Sequence, residues 1–267
     1  MDHPHGDDVT GLFAELVGRA DDEIPLDEAA VLIAAHAYPG LDTAAVLVLL
    51  DELAGGCTAA GLDGLRHYLF DVLGFSGNTT RYADPRNSFL NDVLQRRLGI
   101  PISLAVVTME VGRRVDVPFE GVGMPGHFLV RHASTPRVLL DPFDRGRILD
   151  EGDCEALYRS AYGASAAFDP SALAPVGKRA ILARMLANLR QLYLTTGDVW
   201  STGWVLRLRT TIPADSVSEM ADAASAHAAL GRFAEAAALL EDLADLLPDA
   251  SAERARAEAN LQRSRLN

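Results

Sequence analysis

The 267-residue chain is 49% hydrophobic and carries a formal net charge of −13, with a mean hydropathy of +0.08. That is enough apolar material for one large or two modest cores. The acidic excess repels a phosphate backbone and no Lys/Arg block with interleaved aromatics offsets it, so nucleic acid is not an expected partner.

No apolar run approaches the roughly 18 residues of a membrane span, and residues 1–8 are acidic rather than basic then apolar. Neither a membrane segment nor a secretory signal is expected. The two cysteines, Cys57 and Cys154, stand in unrelated contexts without CxxC spacing, which argues against a disulfide framework or a zinc knuckle and for a reducing cytoplasm. Asp2, His3, His5, Asp7 and Asp8 could supply cation ligands by residue type, but the more ordinary reading of residues 1–8 is a disordered tail.

Residues 9–73 carry apolar positions at helical spacing: Leu12, Phe13, Leu16 and Val17, then Ala29, Ala30, Ile33 and Ala34, then Val46, Leu49, Leu50 and Leu53. Three or four helices follow, broken at Tyr38-Pro39-Gly40 and Ala54-Gly55-Gly56. From Gly74 to Asn87 the turn residues are too dense for a regular element. Residues 88–98 then read as a helix stopped by Gly99, and Pro101-Ile102-Ser103 opens another. Short apolar or β-branched runs at 117–122, 128–131 and 138–140, bounded by Gly and Pro, predict strands. The expected class is α+β: a helix bundle plus a small antiparallel sheet over residues 9–174.

Beyond Pro175 the composition becomes Ala/Leu/Glu/Arg-rich, with helical periodicity and no strand signal. The segment Gly231-Arg-Phe233-x-x-Ala236-x3-Leu240-x2-Leu243-x4-Pro248 fits the tetratricopeptide pattern. An offset of 34 residues, that repeat's period, places Gly231 on Gly197, Phe233 on Val199 and Leu240 on Leu206, with Thr202 where a small residue belongs. Residues 175–267 are therefore expected to form an all-α, tetratricopeptide-like domain.

Three polar residues stand where acyl-transfer chemistry would need them. Ser103 begins an apolar helix, where backbone N–H groups and the dipole favour an oxyanion. His127 follows Gly123-Met124-Pro125-Gly126 and opens a strand, while Asp141 closes the next strand before Pro142. If those strands are antiparallel neighbours, the start of one lies beside the end of the other, which brings His127 to Asp141. A nucleophile, a base and a group orienting the base are the three requirements of such a site. Asn91 and the Ser103 backbone N–H are candidate oxyanion donors, with Asn87 as cleft support. Taken singly, each residue has an ordinary explanation: Ser103 a helix cap, His127 a buried structural imidazole, Asp141 a turn residue, and Arg86, Arg96 and Arg97 solvated ion pairs.

The blocks Asn87-Ser88-Phe89-Leu90-Asn91-Asp92-Val93-Leu94, Arg97-Leu98-Gly99-Ile100-Pro101-Ile102-Ser103-Leu104, Pro125-Gly126-His127-Phe128-Leu129-Val130-Arg131 and Leu140-Asp141-Pro142-Phe143 together resemble the SirB family of transglutaminase-like proteins. Flanking segments extend the likeness: Phe75-x-Gly77-Asn78 with Tyr82-x-Asp84-Pro85, and Ile181-Leu182-x-Arg184-Met185-Leu186-x-Asn188-Leu189. The resemblance implies a papain-like, transglutaminase-type core with a Cys-His-Asp triad. His127 and Asp141 match that pattern, whereas Ser103 stands where active members carry Cys, and neither Cys57 nor Cys154 occupies a comparable position. A hydroxyl must lose its proton during attack, while a thiol near pKa 8.5 is readily ionised by an adjacent imidazole. Two functions follow as expectations. One is a regulatory protein that binds a protein or peptide partner; the other is a serine-variant acyl transferase or amide hydrolase. Neither calls for a cofactor or a metal.

Overall fold

The computed structural model describes residues 4–214 and 216–266, with the side chains of residues 4–7 left aside. The chain divides into two compact units, Asp21–Met185 and a second built from Met1–Ala20 with Leu186–Asn267.

Within Asp21–Met185, the helices fall where the periodicity places them: α2 at Leu26–Ala37, α3 at Thr43–Gly55, α4 at Gly61–Arg66, α5 at Leu90–Arg96 and α6 at Pro101–Arg114. The breaks after Ala37 and Gly55 match the two turn clusters. Asp42 caps α3 by accepting from the Ala45 N–H at 3.0 Å. Helix α6 is buried from Pro101 through Thr108 and again at Glu110, Val111 and Gly112. A helix apolar on nearly every side belongs at the centre of a core rather than at its rim.

Several details differ from expectation. Helix α5 ends at Arg97 and not at Gly99, because Arg97 itself takes the left-handed conformation at φ 58°. Its backbone N–H bonds to Val93 O at 2.8 Å and its guanidinium reaches Leu73 O at 2.8 Å. Main-chain hydrogen bonds thus stabilise a conformation that usually selects Gly or Asn. The segment read as irregular contains a two-residue strand β1, Ser76–Gly77, in parallel register with β2, Leu98–Gly99, and a 3-10 turn at Pro85–Asn87.

The sheet has the order β6-β5-β4-β3-β7. Its strands are β3 Phe119–Val122, β4 Leu129–His132, β5 Leu139–Asp141, β6 Arg147–Leu149 and β7 Pro175–Val176, and every pairing is antiparallel. The three expected strands are β3, β4 and β5. The other two left no signal: β6 is short and follows charged residues, and β7 contains a proline, which only an edge strand tolerates. Val122, Met124, Leu129, Leu139, Leu149 and Cys154 form one apolar cluster, with Cys154 supplied by helix α7, Glu151–Tyr162.

The core unit runs past the expected boundary between residues 174 and 175. Pro175 and Val176 add to the sheet edge opposite Val122 and Gly121, and the next helix, α8 at Lys178–Thr196, begins in this unit. Its N-terminus is capped from far away in sequence: the Asp21 carboxylate accepts from Lys178 N and Arg179 N, each at 2.9 Å.

In the other unit, α1 runs Pro4–Val17, so residues 4–8 are helical where a tail was expected. Proline at the first position followed by acidic residues suits a helix start. Asp2 and His3 of the candidate cation cluster lie outside the described residues, as do the side chains of His5 and Asp7. The C-terminal residues form α9 Val199–Arg209, α10 Val217–Ala229, α11 Phe233–Asp245 and α12 Asp249–Ser264. Arg209, 2% exposed, ties α9 to α10 through Asp222 at 2.7 Å and Glu219 O at 2.8 Å.

Candidate functional site

His127 stands just before β4 on a tight turn. Gly126 takes φ +76°, and the His127 N–H closes the turn on Met124 O at 3.1 Å. Asp141 is the last residue of β5, and the register of Val130 with Leu140 brings the start of β4 beside the end of β5. The imidazole Nε2 lies 2.8 Å from Asp141 Oδ2, with the two side chains 16% and 3% exposed. Although the distance is that of a strong pair, the Nε2 approach lacks hydrogen-bond alignment. With Nε2 turned to the carboxylate, Nδ1 is the ring nitrogen left for a second partner.

The rest of the setting follows from local chemistry. Asp141 Oδ1 accepts from the Phe143 N–H at 2.9 Å, a turn of the kind Asp makes across Pro142. Both carboxylate oxygens are therefore oriented. The Phe143 ring meets the His127 ring edge-on at 6.0 Å and the Tyr82 ring at 6.0 Å. Gly77 makes room for it: a Cβ there would fall 2.4 Å from the Phe143 ring.

Ser103 is placed differently. It is 1% exposed, three residues beyond Ile100, the N-cap of α6. Its hydroxyl donates to Asn87 O at 2.5 Å, accepts from Ile100 N at 3.1 Å and lies 3.1 Å from Ile100 O. A side chain at the third helical position reaching back to the N-cap N–H is one half of a capping box. Among the described residues no hydrogen bond joins Ser103 to His127. The structure thus brings His127 and Asp141 together and engages Ser103 in the start of α6.

The two asparagines also have definite places. Asn87 is fully buried; its amide nitrogen donates to Arg81 O at 2.7 Å and Tyr82 O at 3.2 Å. Its side-chain oxygen accepts from Asn78 at 3.0 Å and Arg96 at 3.3 Å. The amide fastens the loop carrying Tyr82 and is not free to face a reacting oxygen. Asn91 Oδ1 is buried without a hydrogen-bond partner, and none links Asn91 to the other three residues. Cys154 is buried, and desolvation, reinforced by Asp153, Asp150, Asp141 and Glu151, pushes its thiol up to about 11. A thiol so shielded stays protonated and is no substitute nucleophile.

Comparison with known proteins agrees with this architecture. A family model described as the transglutaminase-like superfamily matches residues 37–187, more than half of the chain. The chain belongs to the transglutaminase-like superfamily. A UPF0162 protein of Xylella fastidiosa is 42% identical over 203 residues, covering 71% of this chain and 72% of that protein. A UPF0162 protein of Pseudomonas aeruginosa is 37% identical over 182 residues, covering 65% and 66%. The F-box only protein 21 of Mus musculus is 33% identical over 140 residues, which is 49% of this chain and 21% of that protein. In this transglutaminase-like chain, sequence reasoning missed Phe143, whose ring meets His127 edge-on, and Arg184, which donates to His127 O at 2.8 Å. Arg184 did leave a signal, as a lone charge in the apolar run Ile181-Leu182-Ala183-Arg184-Met185-Leu186.

Proposed function

We propose that this chain is a non-catalytic, cytoplasmic member of its superfamily that binds a protein or peptide, with the His127–Asp141 pair as part of a recognition surface. The observation that carries this reading is the engagement of the Ser103 hydroxyl. It is buried and bonded to Asn87 O and Ile100 N. Attack by a serine requires its proton to pass to a base in hydrogen-bond reach, and here the proton is directed to a carbonyl.

The C-terminal helices support a binding role. Gly197 and Gly231 both turn through positive φ, at 72° and 73°, and each leads into a helix starting two residues later, at Val199 and Phe233. This recurrence supports the tetratricopeptide-like reading, and such helix pairs present extended binding surfaces. Leu194, Val199 and Trp200, within seven residues of sequence, are exposed at 58%, 83% and 59%.

A second reading keeps Ser103 as the nucleophile of an acyl transferase or amide hydrolase, and the 2.8 Å approach of His127 to Asp141 favours it. A fluorophosphonate probe separates the two. The binding reading expects no label on Ser103 in the folded protein, and an interaction that survives Ser103→Ala but weakens with Trp200→Ala. Labelling that disappears in Ser103→Ala would favour the enzyme instead, and reactivity recovered in Ser103→Cys would show that the machinery around residue 103 is intact.

A further inference from the structure

Arg184 projects from the first half of α8, Lys178–Thr196, toward the turn that carries His127. Its Nη1 donates to Gly123 O at 2.8 Å, and its Nη2 donates to Met124 O at 2.9 Å and His127 O at 2.8 Å. The guanidinium carbon lies 5.4 Å from the centroid of the Phe128 ring. One rigid fork therefore grips main-chain oxygens on both sides of the Gly126 turn, including the carbonyl of His127 itself, while its face covers the next side chain. No carboxylate pairs with Arg184 among the described residues. Burial lowers its pKa, opposed by Tyr162 and Tyr82. A half-buried cation without an acidic partner is costly unless its hydrogens are directed at acceptors, and here both terminal nitrogens point to the peptide groups of one turn.

The consequence for the imidazole is geometric. The His127 N–H already bonds to Met124 O, so Arg184 Nη2 bridges the carbonyl at the start of this turn and the one at its end. With both peptide groups around His127 fixed, the origin of its side chain is fixed relative to Asp141 on the neighbouring strand. Lysine could supply charge to one of these oxygens, but it lacks the planar fork and the stacking face.

We propose that Arg184 is the positioning residue of the His127–Asp141 pair. The role is the same whether the pair serves recognition or chemistry, so the inference stands apart from the proposed function.

The test is the long-range ¹H–¹⁵N spectrum of the full-length protein with ¹⁵N-labelled histidine, the His127 signals being assigned with His127→Gln. The wild-type protein is expected to give one sharp His127 pattern. Arg184→Met should broaden it or split it into two, and Arg184→Lys should restore it in part. Arg209→Met, which removes a buried arginine elsewhere, controls for lost stability and should leave the His127 pattern untouched. If Arg184→Met does not fold, Phe128→Leu removes the face beneath the guanidinium and is expected to broaden the same signals. A wild-type His127 pattern in folded Arg184→Met, or in Phe128→Leu where Arg184→Met does not fold, or equal disturbance by Arg209→Met, overturns the proposal.

Discussion

The hydroxyl of Ser103 and the main-chain carbonyl of Asn87 meet at 2.5 Å across sixteen residues of sequence, and the same hydroxyl receives the N–H of Ile100. One side chain thus links the 3-10 turn at Pro85–Asn87 to the first turn of the central helix. Ser103→Ala removes both bonds of the hydroxyl, while Ile100 N–H keeps its own bond to Asn87 O at 3.2 Å. A loss of ~0.5–1.5 kcal/mol is expected, measured as a lower urea midpoint at unchanged slope. Unaltered stability would mean that this link contributes nothing.

Gly77→Ala should disturb the neighbourhood of His127 without touching it. The added methyl would stand 2.4 Å from the Phe143 ring, and that ring is edge-on to the imidazole. Carbethoxylation of His127, followed by peptide mapping, is expected to change in rate in Gly77→Ala. An unchanged rate would show that the ring moves aside at no consequence to the imidazole.

The two thiols should react very differently. Cys57 is partly exposed and Cys154 is buried, with its thiol pushed to about 11. At pH 8 the native protein should therefore take up one equivalent of a thiol reagent rapidly, and a second only after denaturation. Prompt modification of both would contradict the packing of Cys154 against Met124 and Leu139.

The ion cluster beneath α6 sets an acid dependence. Asp27 Oδ2 lies 2.6 Å from Arg114 and 3.2 Å from Arg113, and Glu110 Oε2 lies 2.9 Å from Arg114. Burial alone would raise the Asp27 pKa, but the Arg114 hydrogen bond and charge, with Arg113, bring it below the ordinary value. A depressed folded pKa stabilises the protein above the unfolded value, and that contribution fades as pH falls through the folded one. For Glu110, burial first and the nearby Asp27 second raise the pKa. The sign is reversed: its contribution is present at low pH and lost as pH rises through the raised value. Asp27→Asn should flatten the acid limb of the stability curve, and Glu110→Gln should remove a decline just above the usual glutamate range. Parallel curves for all three proteins, from urea unfolding across pH 2.5–7, would refute this assignment.

What the sequence revealed depended on how locally each feature is determined. The breaks at Pro39-Gly40 and Gly55-Gly56, the central apolar helix and the three inner strands follow from turn chemistry and periodicity within a few residues. The meeting of His127 with Asp141 was also legible, because antiparallel pairing places a strand's start beside its neighbour's end. The bond from Ser103 to Asn87 O was not, since that acceptor lies on a loop whose path is set by distant hydrogen bonds. The left-handed Arg97 is stabilised by contacts that no residue pattern announces, among them the one to Leu73 O. Arg184 could be read as a charge in an apolar run, but not as a ligand of three carbonyl groups.

The cap that Asp21 places on α8 has a topological meaning. Asp21 is the first residue of the unit that ends at Met185, and its carboxylate holds Lys178 and Arg179 near the opposite end. The polypeptide thus departs from this body close to where it arrived, in the manner of a cassette. A body of that kind can be spliced into a host loop, or have its ends joined and be reopened elsewhere, without unthreading its sheet.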